Sequence, residues 1–138
     1  MNASALRKGL EGYAQASWDA DVSQASPHRL IQALMEGCLT RINSAKGAAM
    51  NGNIIQRGQQ TSIAIGIIGG LIEALNIEAG GAIAANLRDL YLYMQARLVV
   101  AASRSDIAAY DEVARLMRQI KSGWDAIPAS QHHLSGRG

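Results

Sequence analysis

Apolar residues recur at helical spacing along most of the chain, and the clearest run lies near its C-terminal end. The intervals alternate between three and four residues, which places the members of the run on one face of a helix: Tyr110, Val113, Met117, Ile120, Trp124 and Ile127. Charged side chains occupy the other face, and acids precede bases, as the helix dipole favours. Asp106 is a suitable N-cap and Pro128 a suitable end, so we predict a helix between them.

Start and stop signals predict three further helices upstream. Ser26-Pro27 is a start signal, because a capping hydroxyl precedes a proline at the first helical position. Asn51-Gly52 ends that helix, and Asn53 with Gln56 resembles a capping box for the next one. The predicted helices run from 27 to about 50, from 54 to 75 and from about 83 to near 103, with a short connection over 76–81.

Four helices of roughly 20 residues, joined by loops of a few residues, pack antiparallel to their neighbours. We therefore predict an all-α fold, an antiparallel up-down four-helix bundle over residues 26–127. Residues 1–25 contain weak helix formers and are predicted to be a short mobile or helical N-terminal arm. Residues 128–138 are predicted to be a disordered C-terminal tail.

The second predicted helix is apolar on most of its circumference. Its apolar residues, with glycines between them, are Ile63, Ile65, Ile67, Ile68, Leu71, Ile72 and Leu75. A bundle buries only one stripe of each helix, so this surplus needs an explanation. Two interpretations stay open: a central helix whose glycines allow close approach of its neighbours, or an exposed apolar groove that awaits a partner.

Composition narrows the function classes. Thirteen Lys and Arg against 11 Asp and Glu give a net charge of +2, without the basic face that nucleic-acid binding needs. The most apolar run, 63–72, is too short to span a bilayer, and no signal peptide follows the N-terminal charges. The single cysteine, Cys38, favours a reducing compartment. We expect a soluble cytosolic domain with no nucleic-acid partner and no membrane insertion.

The search for reactive residues gives no support for an enzyme, and we predict no catalytic, cofactor-binding or metal-binding residue and no cofactor. Cys38 lies on an apolar face, where a thiol behaves as a small hydrophobic group. His28 lies in a first helical turn, and we expect it to be a surface residue. His132 and His133 belong to the predicted tail.

Three blocks of sequence resemble a known family. The run from Ala25 to Gly37 begins Ala-Ser-Pro-His-Arg-Leu-Ile, and a second block from Gly80 to Met94 reads Gly-Gly-Ala-Ile-Ala-Ala-Asn-Leu before Leu-Tyr-Leu-Tyr-Met. The fourth helix carries Glu-Val at 112–113 and ends with Trp124. Together these are similar to the flagellar secretion chaperone family, FliS, the flagellin export chaperones. The resemblance extends over residues 10–127, with Ala82 where the family usually has an acid and Ile63 where it often has Lys.

The resemblance implies a cytosolic export chaperone. Such a protein binds the C-terminal segment of flagellin, which is disordered in solution, and so prevents premature polymerisation. It then delivers flagellin to the flagellar type III export apparatus, which makes an export gate component a second partner. A different class of function stays open: a structural or regulatory helical bundle that self-associates, as a homodimer for example, without binding flagellin.

Candidate flagellin-binding residues come from two sources. The surplus of apolar surface indicates Ile55, Ile63, Ile67 and Leu71 on the second helix, with Tyr91 and Tyr93 on the third. In the predicted arm, Leu10 and Tyr13 are three residues apart and share a face of one helical turn. The resemblance implies that such an arm helps to regulate substrate binding.

Overall fold

The structure is a computed structural model that describes residues 26–128. The predicted arm, with Leu10 and Tyr13, lies outside the described residues, as does the predicted tail apart from its first residue. The described part contains four helices and no strand: α1 (Pro27–Met50), α2 (Ile54–Glu73), α3 (Ile77–Arg104) and α4 (Ile107–Asp125). The predicted all-α class is confirmed.

A polar side chain caps the N-terminus of each helix. The side chains of Ser26, Asn53, Asn76 and Asp106 each accept a hydrogen bond from the backbone N–H three residues further on. Each cap satisfies one of the N–H groups that a helix start leaves without an intrahelical partner. Three of these caps were predicted from the sequence. The cap at Asn76 was not, because we had assigned that residue to a connection.

Contacts between side chains give the helix directions. Gln32 near the start of α1 donates to Asp125 at the end of α4, with 2.8 Å between Nε2 and Oδ1. Lys46 near the end of α1 pairs with Asp111 near the start of α4, at 2.7 Å. Each helix packs mainly against two neighbours, α1 and α3 both lying between α2 and α4. The helices therefore form the up-down four-helix bundle that the loop lengths predict.

The core runs along the axis of the bundle and contains two buried aromatic hydroxyls. Tyr91 and Tyr110 are each at most 2% exposed. The Tyr110 hydroxyl lies 2.7 Å from the Thr61 hydroxyl, and Thr61 donates to the Arg57 carbonyl oxygen, so Tyr110 is the donor to Thr61. Cys38 is fully buried, and burial raises the pKa of its thiol to about 12, which keeps it protonated.

Helix α2 occupies a corner of the bundle, so the interpretation as a central helix is wrong. It packs against α1 most extensively, and against α3. Its inner side is buried, while Ile63, Ile65 and Ile72 are partly buried against the core. Ile55 near its start is 72% exposed. The apolar surplus is thus divided among the core, the flanks of the helix and its two ends.

Helix α3 is broken near its start by Gly81. This residue has φ 56° and ψ −134°, a conformation that glycine adopts readily and other residues avoid. Residues Ile77–Gly80 form one helical turn before the break, and the long part of α3 begins after it. The predicted connection over 76–81 is therefore corrected to a capped helical turn followed by a kink. None of the helices in residues 26–128 is long and apolar enough to cross a membrane.

Candidate functional site

An apolar groove opens at the end of the bundle where α1 begins, α2 ends, α3 begins and α4 ends. We call it the end groove, and its volume is about 750 Å³. Its walls come from all four helices and from the α2–α3 connection: Ile31, Met35, Leu71, Ala74, Leu75, Asn76, Ala79, Gly80, Ile83, Ala84, Asn86, Leu87, Leu90, Tyr91, Gln119, Ile120, Gly123, Trp124 and Ile127.

The lining of the end groove carries no charged side chain. Its polar side chains are Asn76, Asn86, Gln119 and the hydroxyl of Tyr91, whose pKa burial raises far above the physiological range. Uncharged walls of this kind bind apolar groups by removing them from water. Ile83 lines the groove while 81% exposed, so much of the apolar surface is available to an occupant.

Trp124 joins the start of α1 to the end of α4 at one wall of the groove. Its ring stacks on that of His28, with 4.7 Å between centroids and 10° between planes. Its Nε1 donates to the His28 carbonyl oxygen at 3.0 Å. His28 is only 2% exposed, so the expected surface histidine is wrong. The position of His28 in the first turn of a helix predicts an exposed side chain, but the indole of Trp124, from the last helix of the chain, covers it.

A polar cluster links α3 to α4 on the outside of the bundle. The Tyr93 hydroxyl donates to Oε2 of Glu112 at 2.6 Å, and Nε of Arg97 donates to Oε1 of the same carboxylate at 2.8 Å. These two hydrogen bonds hold the pKa of the Glu112 carboxyl below its usual value. The same contact with Glu112 raises the pKa of the Tyr93 hydroxyl. Tyr93 is therefore engaged in a contact between helices, although the residue is 45% exposed.

A second, smaller cavity of about 440 Å³ lies between α1 and α2 and is lined mostly by residues with polar side chains. One hydrogen bond across it joins Nη1 of Arg41 to Oε1 of Gln60 at 2.9 Å. Within residues 26–128, no three His, Cys, Asp or Glu side chains are grouped so as to hold a metal ion. The end groove is therefore the stronger candidate site.

The predicted binding residues do not form one surface. Leu71 and Tyr91 line the end groove from within the core. Ile67 is 1% exposed and lies in the core away from the groove lining. Ile63 packs against the core, while Ile55 and Tyr93 are exposed elsewhere. Sequence reasoning missed the contributions of α1 and α4, whose apolar stripes looked like ordinary core.

Comparison with known proteins identifies the family of the chain. Residues 9–131 match the profile of the family described as flagellar protein FliS. The chain is 51% identical over 120 residues to the flagellar secretion chaperone FliSB of Pseudomonas aeruginosa, covering 87% of this chain and 95% of that protein. It is 38% identical over 130 residues to the flagellar secretion chaperone FliS of Vibrio cholerae, covering 94% and 96%.

A third relative extends the range of species. The flagellar secretion chaperone FliS of Salmonella typhimurium is 40% identical over 120 residues, covering 86% of this chain and 89% of that protein. The chain belongs to the FliS family. The resemblance drawn from its sequence motifs is confirmed.

Proposed function

We propose that this chain is a cytosolic export chaperone that binds the C-terminal segment of flagellin in the end groove. Binding keeps flagellin from polymerising early, and the chaperone then delivers it to the export gate of the flagellar type III apparatus. The observation that carries the proposal is the end groove itself, about 750 Å³ of uncharged space lined mainly by apolar side chains. The relatives' name, flagellar secretion chaperone, supports the export role.

The groove is the anchor of a longer interface. A helix is 10–12 Å wide with a pitch of 5.4 Å, so the groove accommodates roughly one and a half turns of a helical segment. Coupled folding and binding costs about 2–5 kcal/mol in ordering and typically buries about 1,000–3,000 Å². The segment must therefore continue over further apolar surface of the bundle. Ile55, Ile63 and Tyr93 stay predicted contacts for that extension.

We propose that the predicted N-terminal arm docks reversibly over the same groove and moves when flagellin arrives, where it either competes with the flagellin segment or clamps it. Ser26, where the described chain begins, precedes the turn of α1 whose His28 stacks on the groove residue Trp124. Ser26 follows Tyr13 by thirteen positions, a stretch of chain that spans up to about 45 Å, so Leu10 and Tyr13 can reach the groove. An internal competitor lowers apparent affinity according to the time that it occupies the site. Hydrogen exchange of amides in residues 8–16 must then change when the flagellin segment binds.

Calorimetric titration of the full chain with cognate flagellin tests the function. We expect binding by flagellin that retains its C-terminal segment and none by flagellin that lacks it. Light scattering on the same samples gives the stoichiometry. Equal heats from both flagellins would refute the proposal, and a dimer that ignores flagellin would support the self-associating bundle instead.

Delivery is tested separately with the purified export gate component. The complex of chaperone and flagellin should bind it, and flagellin alone should bind it more weakly. Equal binding by flagellin alone would remove the delivery step from the proposal.

A further inference from the structure

The break in α3 interrupts an apolar stripe that continues in register across it. On the long part of the helix, the inward residues follow at intervals of three and four: Ala84, Leu87, Tyr91, Met94, Leu98 and Ala101. The same intervals, continued backwards, reach Gly80 and then Ile77. The sequence therefore carries the pattern of one uninterrupted helix through a point where the structure is kinked.

The kink accounts for both glycines at the break. Gly81 has φ 56°, which disfavours any residue with a Cβ. A Cβ on Gly80 would lie 2.6 Å from the Cβ of Ala84, although residues four apart on a straight helix keep these atoms about 5–6 Å apart. A straight helix would accept alanine at both positions and would be more stable with it.

The turn before the break has little holding it in place. No residue from Ile77 to Ile83 is buried, and Ala84 is the first buried residue of α3. Segments with few buried contacts open at low free-energy cost. The turn also borders the end groove, because Ala79 and Gly80 line it on one side of the break and Ile83 and Ala84 on the other.

The connection between α2 and α3 is long enough for a straight α3. Three residues, Ala74–Asn76, connect the two helices and can span about 10 Å, which is the distance between packed helix axes. Straightening would extend the long part of α3, which begins at Ala82, by the five residues 77–81, or about 7.5 Å. It would also bring Ile77 onto the stripe shared by Leu87 and Tyr91, two residues of the groove wall.

We propose that Gly80 and Gly81 form a hinge, and that α3 is kinked when the end groove is empty and straightens when an apolar segment occupies it. Straightening lengthens the apolar wall with Ile77 at the moment when an occupant can cover it. The occupant assumed here is the flagellin segment, so this coupling rests on the proposed function. The existence of the hinge does not.

Two substitutions bias the hinge in opposite directions. Gly81→Ala penalises the kink and favours the straight helix, so the flagellin segment should bind about fivefold more tightly or better. Ala82→Pro permits the kink, because proline is tolerated at the first position of a helix, but it disrupts a straight helix. The Ala82→Pro variant should bind the flagellin segment at least about tenfold more weakly than the wild type does. Gly66→Ala is the matched control, since a Cβ there meets nothing within 4 Å.

Hydrogen exchange measures the hinge in the free protein. A helix that starts after Gly81 leaves the amides of Ala82 and Ile83 without helical acceptors, whereas a straight α3 pairs them with carbonyls of the first turn. Exchange at these two amides should slow in Gly81→Ala without any ligand, and in the wild type when a peptide of the flagellin C-terminal segment is added. Gly66→Ala should exchange there as the wild type does.

The outcomes separate the hinge from the proposed function. Unchanged exchange at both amides in Gly81→Ala overturns the hinge. Wild-type protein that fails to bind the peptide overturns the proposed function, and the free-protein exchange still decides the hinge. If the peptide binds and the wild type, Gly81→Ala and Ala82→Pro share one Kd, the coupling is refuted. Should Ala82→Pro not fold, Gly81→Ala decides alone.

Discussion

Replacing Ile83 with Asp tests whether the end groove anchors the flagellin segment. Ile83 is 81% exposed in the free bundle, so a bound segment can still remove about four-fifths of its surface from water. Full burial of an isoleucine side chain contributes about 1.5–3 kcal/mol, which leaves roughly 1.2–2.4 kcal/mol for the complex. Aspartate loses this contribution and adds the cost of desolvating a carboxylate against apolar walls. A loss of at least about 2 kcal/mol corresponds to a Kd roughly 30-fold weaker.

The chain offers a matched control for this substitution. Ile54 is 67% exposed, lies at the opposite end of the bundle and is the first residue of α2, and Ile83 likewise lies in the first turn after the break in α3. Aspartate near a helix start is favourable at both sites, so stability should stay within about 0.5 kcal/mol of wild type. Calorimetric titration should show Ile54→Asp within about threefold of wild-type Kd. Wild-type affinity in Ile83→Asp, with a loss in Ile54→Asp, would refute the end groove as anchor.

Three further predictions concern stability. Tyr110→Phe should lower the free energy of urea unfolding by about 1 kcal/mol. The double variant with Thr61→Val should lose less than the sum of the two single variants, because the second change removes the acceptor that the first leaves unpaired. Strictly additive losses would contradict the hydrogen bond between the two hydroxyls. Trp124→Ala should cost about 2–3 kcal/mol, below the 3–5 of a fully buried tryptophan, because one side faces the groove; an unchanged Tm would contradict its stacking on His28. Because folding lowers the pKa of Glu112, the ionised carboxylate stabilises the folded state above the usual carboxyl pKa of 4.5, and this stability is lost as the pH falls through the folded pKa. Glu112→Gln should therefore lower the free energy of unfolding at pH 7 and lower it progressively less in acid. A difference in stability that does not depend on pH would contradict this.

Local signals predicted most of the fold. The caps at Ser26, Asn53 and Asp106 are short-range hydrogen bonds, and each helix starts where its cap indicates. The start of α3 was misplaced because Gly80-Gly81 was interpreted as a connection, although a capped turn precedes it. A pair of glycines indicates only that the backbone departs from a helix, and leaves open how many helical residues come before.

The site was harder to predict, for reasons of geometry. Periodicity identifies the inward stripe of a helix, but whether a stripe residue faces a neighbour or a groove depends on how helices tilt at the bundle end. Trp124 and Ile120 were assigned to the core on spacing alone, yet they line the groove. Ile67 was assigned to the groove on apolar surplus alone, yet it is buried. Aspartate at Ile67 should therefore unfold the bundle.

An even number of antiparallel helices returns the chain to the end where it began. Ser26 and Pro128, the limits of the described chain, both lie at the end of the bundle that holds the groove, whereas the turn formed by Asn51 and Gly52 is at the far end. An affinity tag or sensor linkage joined directly before Ser26 or after Pro128 would thus be attached at the groove end of the bundle. A short tag inserted in the turn at 51–52, where Gly52 already has φ 71°, would orient immobilised protein with its groove toward the solution.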